Sequence, residues 1–174
     1  MRRLCVLGST GSVGEQTLAV VADHPERFDV VALAAGKNVA RLAEQIERFS
    51  PQIVSVADEA GARELRQRIG KAGNTDIQIG VGADGLLAVA TYPADLVMAA
   101  LVGAVGLAPT LAAVRAGRDV ALANKEVMVM AGALVRREVS AQGSVLLPVD
   151  SEHSAIFQAL SGQRREDVAR LVLT

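Results

Sequence analysis

The sequence predicts an α/β fold: a doubly wound, mainly parallel sheet with helices on both faces. Two observations carry that expectation. Short, fully apolar runs alternate with longer segments of helical period, and glycines crowd the first run-to-helix turn. Strands that are apolar on both sides belong in a buried parallel sheet, and right-handed crossovers then put helices on either face.

In chain order, Arg3–Leu7 reads as the first strand and Ser12–Ala22 as the helix that follows it. Asp29–Ala34 is the second strand, and Val39–Phe49 a helix with Leu42, Ile46 and Phe49 on one face. Ile53–Val56 is a third strand and Glu59–Ile69 its helix, followed by a Gly- and Asn-containing loop over Gly70–Asp76. Ile77–Ile79 is a weak strand, Asp84–Ala90 a helix and Asp95–Ala99 a strongly apolar strand. Helix Pro109–Ala116 then precedes strand Asp119–Ala123, and helix Lys125–Gln142 precedes strand Ser144–Leu147. The alternation ends near Pro148–Ser151, which marks a domain boundary, and a helix follows over Glu152–Leu160.

The 174 residues suffice for one well-buried domain with a short extension. Apolar residues make up 51% and charged residues 21%, a globular composition; aromatics are only 2%, so the core must be aliphatic. A net charge of -1 gives no electrostatic reason to expect nucleic acid or an anionic membrane as partner. The single cysteine, Cys5, excludes an intramolecular disulfide and a multi-Cys zinc site. No apolar stretch reaches the length of a membrane span, and the run from Leu4 is broken at Gly8, too early for a signal peptide. A cytoplasmic protein is expected.

Gly8, Gly11 and Gly14 follow a strand and open a helix, spaced G-x-x-G-x-x-G and not in the usual dinucleotide pattern. The physical logic is shared all the same: glycines allow a tight turn and close backbone approach, and helix N-terminal amides attract a pyrophosphate. Ser9, Thr10 and Ser12 add hydroxyl donors. A helix entry without a ligand uses the same residue types. At the end of the second strand, where an NAD enzyme often carries an acidic residue, the chain reads Ala34-Ala35-Gly36-Lys37-Asn38. Lys37, one of three lysines against fifteen arginines, would attract a 2′-phosphate, which favours NADPH; a solvated loop lysine is the simpler alternative.

Asn124 and Glu126 suit a helix start as N-cap and first-turn acid. Lys125 does not, because a cation opposes the helix dipole there, so it is a candidate partner for a phosphate or oxyanion. In extended chain, Asp150 and Glu152 would project from one side as hard oxygen ligands for a divalent cation. The pair also fits a plain helix cap with an acidic first turn, and His153 fits an exposed helix residue or a metal-site neighbour.

Taken together, Gly8–Gly14, Ala35–Val39, Gly103–Thr110, Ala123–Glu126 and Leu147–His153 resemble the 1-deoxy-D-xylulose 5-phosphate reductoisomerase family, across essentially the whole chain. The resemblance implies a Rossmann-like NADPH-binding domain over residues 1–150, with residues 151–174 opening a catalytic domain of which only the first helix and a strand near Leu171–Leu173 are present. It implies NADPH contacts from Thr10, Gly11, Ser12, Val13, Gly36, Lys37, Asn38, Asn124 and Glu126. Asp150 and Glu152 would ligate Mg²⁺, Mn²⁺ or Co²⁺; Lys125, Ser151 and Glu152 would meet a small phosphorylated sugar, with Lys125 and Glu152 in catalytic roles. The implied reaction rearranges 1-deoxy-D-xylulose 5-phosphate and reduces the product to 2-C-methyl-D-erythritol 4-phosphate, in non-mevalonate isoprenoid biosynthesis. The implied full-length protein is a homodimer. Val127 stands where members usually carry Ser. The third metal carboxylate and most of the phosphate pocket are expected beyond Thr174, so this stretch alone should bind cofactor without turning over substrate. Two other classes fit the bare residues: another NADPH oxidoreductase, such as a semialdehyde dehydrogenase, and a stand-alone nucleotide-binding module.

Overall fold

The computed structural model describes residues 1–71 and 76–172, without the Lys71 side chain. Seven strands form one sheet: β1 (Arg2–Leu7), β2 (Phe28–Ala34), β3 (Ile53–Val56), β4 (Gln78–Val81), β5 (Leu96–Ala99), β6 (Asp119–Leu122) and β7 (Leu146–Pro148). The helices are α1 (Ser12–Asp23), α2 (Val39–Phe49), α3 (Glu59–Lys71), α4 (Gly82–Thr91), α5 (Leu107–Arg115), α6 (Lys125–Gln142) and α7 (Ser151–Leu160). Short 3-10 turns occupy Gly103–Gly106 and Arg165–Asp167.

The strand order is β4-β3-β2-β1-β5-β6-β7, and every neighbouring pair is parallel. The expected doubly wound sheet is therefore present. Successive residues of β1 divide between two cores: Leu4 and Val6 face the cluster with Leu18, Leu42, Ile46 and Leu65, while Cys5 and Leu7 join Val89, Val114 and Val127. No aromatic ring is among the buried core residues described, so aliphatic packing does fill both layers.

The chain crosses from one side of β1 to the other between β4 and β5, so β1 and β5 flank the point where the winding reverses. Ligands of open α/β sheets bind at the carboxyl ends of the strands there. Because all seven strands run the same way, the segments after β1, β2, β5, β6 and β7 all emerge at one edge.

Several local expectations shift. β4 and β7 begin later than predicted, and α4 and α5 start two residues earlier. The loop expected over Gly70–Asp76 begins inside α3, and its residues 72–75 lie outside the described residues. Leu171 and Val172 belong to no strand, and Leu173 lies outside the described residues, so the strand expected there is not formed in the part described. Sheet pairing needs a neighbour, and among the described residues β7, the last strand on that side, pairs only with β6. α7 buries none of its residues. Among the described residues, no helix is long and apolar enough to cross a membrane.

Candidate functional site

The glycine turn sits beside the winding reversal. Gly8 has φ +84°, and a Cβ there would lie 2.7 Å from the carbonyl oxygen of Ala100, just past β5. A Cβ on Gly14 would lie 2.3 Å from the Gly8 carbonyl oxygen, so α1 packs directly on the turn. These two glycines are required by the fold itself. Gly11 differs: its φ of -85° suits any residue, it is exposed, and its Cβ would meet only the Gly8 carbonyl oxygen at 3.3 Å. It caps α1 without a side-chain hydrogen bond, leaving the first helical amides bare beside exposed Ser12 and half-buried Thr10 and Val13. Bare amides at a helix start, approached over a residue with no side chain, fit an anionic phosphate.

The tip after β2 is also exposed across Gly36, Lys37 and Asn38. Asn38 is not free: its side chain accepts from the Arg41 amide at 3.2 Å and caps α2. Lys37 makes no ion pair among the described residues, which leaves its charge available. Next to this tip lies an apolar cavity of about 560 Å³ bounded by Gly36, Ala57, Leu86, Leu101, Val105 and Pro109. Its size is that of a typical small-ligand site. Sequence reading missed it because its walls come from four separate loops and helix starts.

After β6, Asn124 is 3% exposed and ties two segments together. Its Oδ1 accepts from the Val127 amide at 3.3 Å, capping α6, and its Nδ2 donates to the Gly103 carbonyl at 2.9 Å. Gly106 leaves room for that amide, since a Cβ there would stand 2.4 Å from Nδ2. Lys125 and Glu126 are exposed on the first turn of α6. Lys125 Nζ stands 3.9 Å from Glu152 Oε2, so the cation placed against its helix dipole faces an acid from a different element.

Of the two arrangements expected for Asp150 and Glu152, the structure has the helix cap and not the extended pair. Asp150 is the N-cap of α7 and Glu152 lies in its first helical turn. The Asp150 side chain accepts from the His153 amide at 3.2 Å, and its two oxygens lie 2.7 and 2.8 Å from His153 Nδ1. Burial pushes the Asp150 carboxyl up, but the His153 hydrogen bonds more than offset this and hold it below the usual carboxylate range. The Ser151 hydroxyl donates to Glu152 Oε2 at 3.0 Å. Two hard carboxylates beside a lysine suit a divalent cation in chemical kind. Among the described residues, no cluster of three His, Cys, Asp or Glu side chains completes the set. A second cavity, of about 340 Å³, runs between α6, β7 and α7 and is lined by Lys125, Asp150, His153, Met128, Ile156 and Phe157.

The structure thus places all the predicted segments on one edge and brings Lys125 to Glu152. Comparison with known proteins agrees with that layout. The family model of 1-deoxy-D-xylulose 5-phosphate reductoisomerase matches residues 4–132. The chain belongs to this reductoisomerase family. The model of the family's C-terminal domain matches residues 146–174. Curated reductoisomerases from Geotalea uraniireducens and Chlorobium phaeovibrioides are 53% and 55% identical over the whole of this chain. The chain spans 45% of the length of each. The reductoisomerase of Zymomonas mobilis in complex with NADPH superposes with a TM-score of 0.90 at 43% identity, over 97% of this chain and 44% of that one. A reductoisomerase structure with NADPH, fosmidomycin and magnesium gives a TM-score of 0.86 at 39% identity, over 94% of this chain and 41% of that one. Family membership replaces the semialdehyde dehydrogenase alternative.

Proposed function

We propose that this chain supplies the NADPH-binding part, and the first half of the metal and substrate site, of an enzyme that isomerises and reduces 1-deoxy-D-xylulose 5-phosphate to 2-C-methyl-D-erythritol 4-phosphate. The observation that carries the reading is the parallel sheet's single functional edge, where the bare α1 amides, the Lys37 tip and the Lys125–Glu152 pair all emerge. Solved relatives in this family are complexes with NADPH and with magnesium, which supports both assignments. When bound, NADPH supplies the hydride and the divalent cation supplies Lewis acidity toward the substrate's oxygens.

The chain's own residues divide the remaining work. Gly11, Ser12 and Val13 present the α1 amides to the pyrophosphate, with Thr10 alongside. Gly36 and Asn38 shape the tip on which Lys37 meets the 2′-phosphate. Asn124 fixes the start of α6; with Glu126 it would contact the NADPH, and Lys125 would meet the substrate. Asp150 and Glu152 are the metal carboxylates; Ser151, by its hydroxyl donation, orients Glu152 and adds a substrate contact. Lys125 sets a positive charge where oxyanion character develops. Residues 1–150 form the cofactor domain in this reading. Residues 151–174 begin the catalytic domain, consistent with an α7 that buries nothing here.

The test is to titrate the chain with NADPH and with NADH, with and without Mg²⁺, following nicotinamide fluorescence. Tight NADPH binding and much weaker NADH binding are expected. Failure of both nucleotides to bind would overturn the assignment.

A further inference from the structure

Gln45, in the middle of α2, is 3% exposed, an unusual place for an amide side chain. Its Nε2 donates to the Ser9 carbonyl at 2.9 Å, within the glycine turn, and to Glu15 Oε1 at 2.8 Å on the first turn of α1. Both partners are acceptors, so only a nitrogen can stand between them. A glutamate at this position would face a carbonyl and a carboxylate with no proton to offer.

Glu15 is held in turn. Arg41, one helical turn before Gln45, reaches its two oxygens through Nε at 2.7 Å and a terminal nitrogen at 2.6 Å, and also pairs with Glu44. The Arg41 hydrogen bonds hold the Glu15 carboxyl below the usual range. One face of α2 therefore grips the glycine turn at Ser9 through Gln45, and grips α1 at Glu15 through both side chains. A leucine of similar volume would fill the space but leave the Ser9 carbonyl and Glu15 Oε1 without this donor. The unused Gln45 Oε1 and Ser9 Oγ, both buried without a partner among the described residues, mark polarity that packing alone does not require.

We propose that Gln45 is a positioning residue for the nucleotide, fixing the Ser9 carbonyl so that the Gly11–Val13 amides stay aimed at the pyrophosphate. This rests on the cofactor assignment above. The Ser9 peptide is the first after Gly8, whose glycine backbone gives the turn little stiffness of its own. The Gly8 and Ser9 amides are held by the Ala34 carbonyl, both at 2.9 Å; Gln45 adds from α2 a restraint on the Ser9 carbonyl itself.

Three ligands of this chain separate the roles. NADPH and NADH both carry the pyrophosphate, whereas adenosine 2′-monophosphate engages the Lys37 tip and lacks it. Gln45→Met should weaken NADPH and NADH by the same factor, about tenfold for one lost buried hydrogen bond, and leave adenosine 2′-monophosphate unchanged. Unchanged affinity for all three would overturn the proposal. Equal weakening of all three with a lowered Tm would also overturn it, since that is a loosened domain and not a displaced turn. If Gln45→Met does not fold, Glu15→Ala, at a half-exposed position, makes the same decision: it removes one anchor and should weaken only the two dinucleotides, by about threefold. A parent chain that binds neither dinucleotide sinks the cofactor assignment and this inference with it, an outcome distinct from a variant that binds like its parent.

Discussion

Gly14 packs so tightly beneath Gly8 that no side chain fits between them: a Cβ on Gly14 would lie 2.3 Å from the Gly8 carbonyl oxygen and 2.7 Å from the Ser9 Cα. Gly11, three residues earlier, has no such constraint. The regular spacing of the three glycines therefore hides two roles. Gly14→Ala should lower Tm by roughly 5–10 °C through overpacking against backbone. Gly11→Asp should leave Tm nearly unchanged and abolish NADPH binding, because a carboxylate would stand where the pyrophosphate approaches. A thermal scan with a nucleotide titration on each variant checks both, and a Gly11→Asp variant that binds normally would remove the turn from the site.

Lys37 stands on an exposed tip without an ion pair among the described residues, so its loss has little to destabilise. Lys37→Ala should weaken NADPH about tenfold, equivalent to ~1.4 kcal/mol, while leaving NADH unchanged and Tm within error. Equal loss for both nucleotides would show that Lys37 does not read the 2′-phosphate.

Asn124 carries two hydrogen bonds at a buried position, one to each of two segments that emerge at the functional edge. Asn124→Ala forfeits both, and a lost cap with an orphaned Gly103 carbonyl should lower Tm by roughly 4–8 °C. Asn124→Asp keeps the capping oxygen but sets a carboxylate oxygen against the Gly103 carbonyl at a buried position, so its Tm should fall at least as far as that of alanine. An aspartate variant that melts above the alanine variant would show that the cap outweighs the tie to Gly103.

Burial pushes the Cys5 thiol up to about 12. Below the ordinary thiol range, near 9, both folded and unfolded chains hold the proton and the thiol makes no pH-dependent difference. Between about 9 and 12 the unfolded chain ionises while the folded one does not, so this site's contribution to stability is lost as pH rises through that window. At pH 8 a thiol reagent should modify Cys5 only at the rate of opening, with no fast phase. Cys5→Ala should flatten the alkaline limb of the stability curve, and an unchanged limb would assign that loss to other groups.

The sheet and its winding were legible because a parallel strand buried on both faces announces itself as an apolar run, as Leu4–Leu7 and Val30–Ala34 do. The face of α2 was legible for the same reason, with Leu42 and Ile46 buried and Phe49 partly so. What escaped the sequence was contact between distant positions. Gln45 reads as a polar residue on a helix, and its partners lie 36 and 30 residues away. Ala131 breaks the helical geometry of α6 at φ -146°, inside a run whose apolar pattern continues without a breaker before Gly132. Of the two arrangements open to Asp150 and Glu152, the fold takes the helix cap with an acidic first turn: the capping preference of Asp150 starts α7 one residue earlier than predicted. Lys125 was singled out by its conflict with the helix dipole, and its neighbour Glu152 could come only from the fold.

α7 offers the last test, because it is attached more by chain and charge than by packing. None of its residues is buried, and the ion pair it makes, Lys125 to Glu152, spans 3.9 Å between exposed side chains, a contact of little energetic worth. Its apolar Ile156 and Phe157 overlook an open cavity against Met128 and Leu146 and do not close a core. The two buried clusters are complete without it, the last contribution coming from Leu146 of β7. A chain ending at Asp150 should therefore unfold in one cooperative transition, with Tm lower by no more than about 4 °C, the shift expected for roughly 1 kcal/mol in a domain of this size. It should still bind NADPH, since the α1 amides and the Lys37 tip lie on the far side of β5 from α7. Loss of cooperative unfolding would place the end of the cofactor domain beyond Asp150. Retained folding with lost NADPH binding would instead make α7 part of the cofactor site.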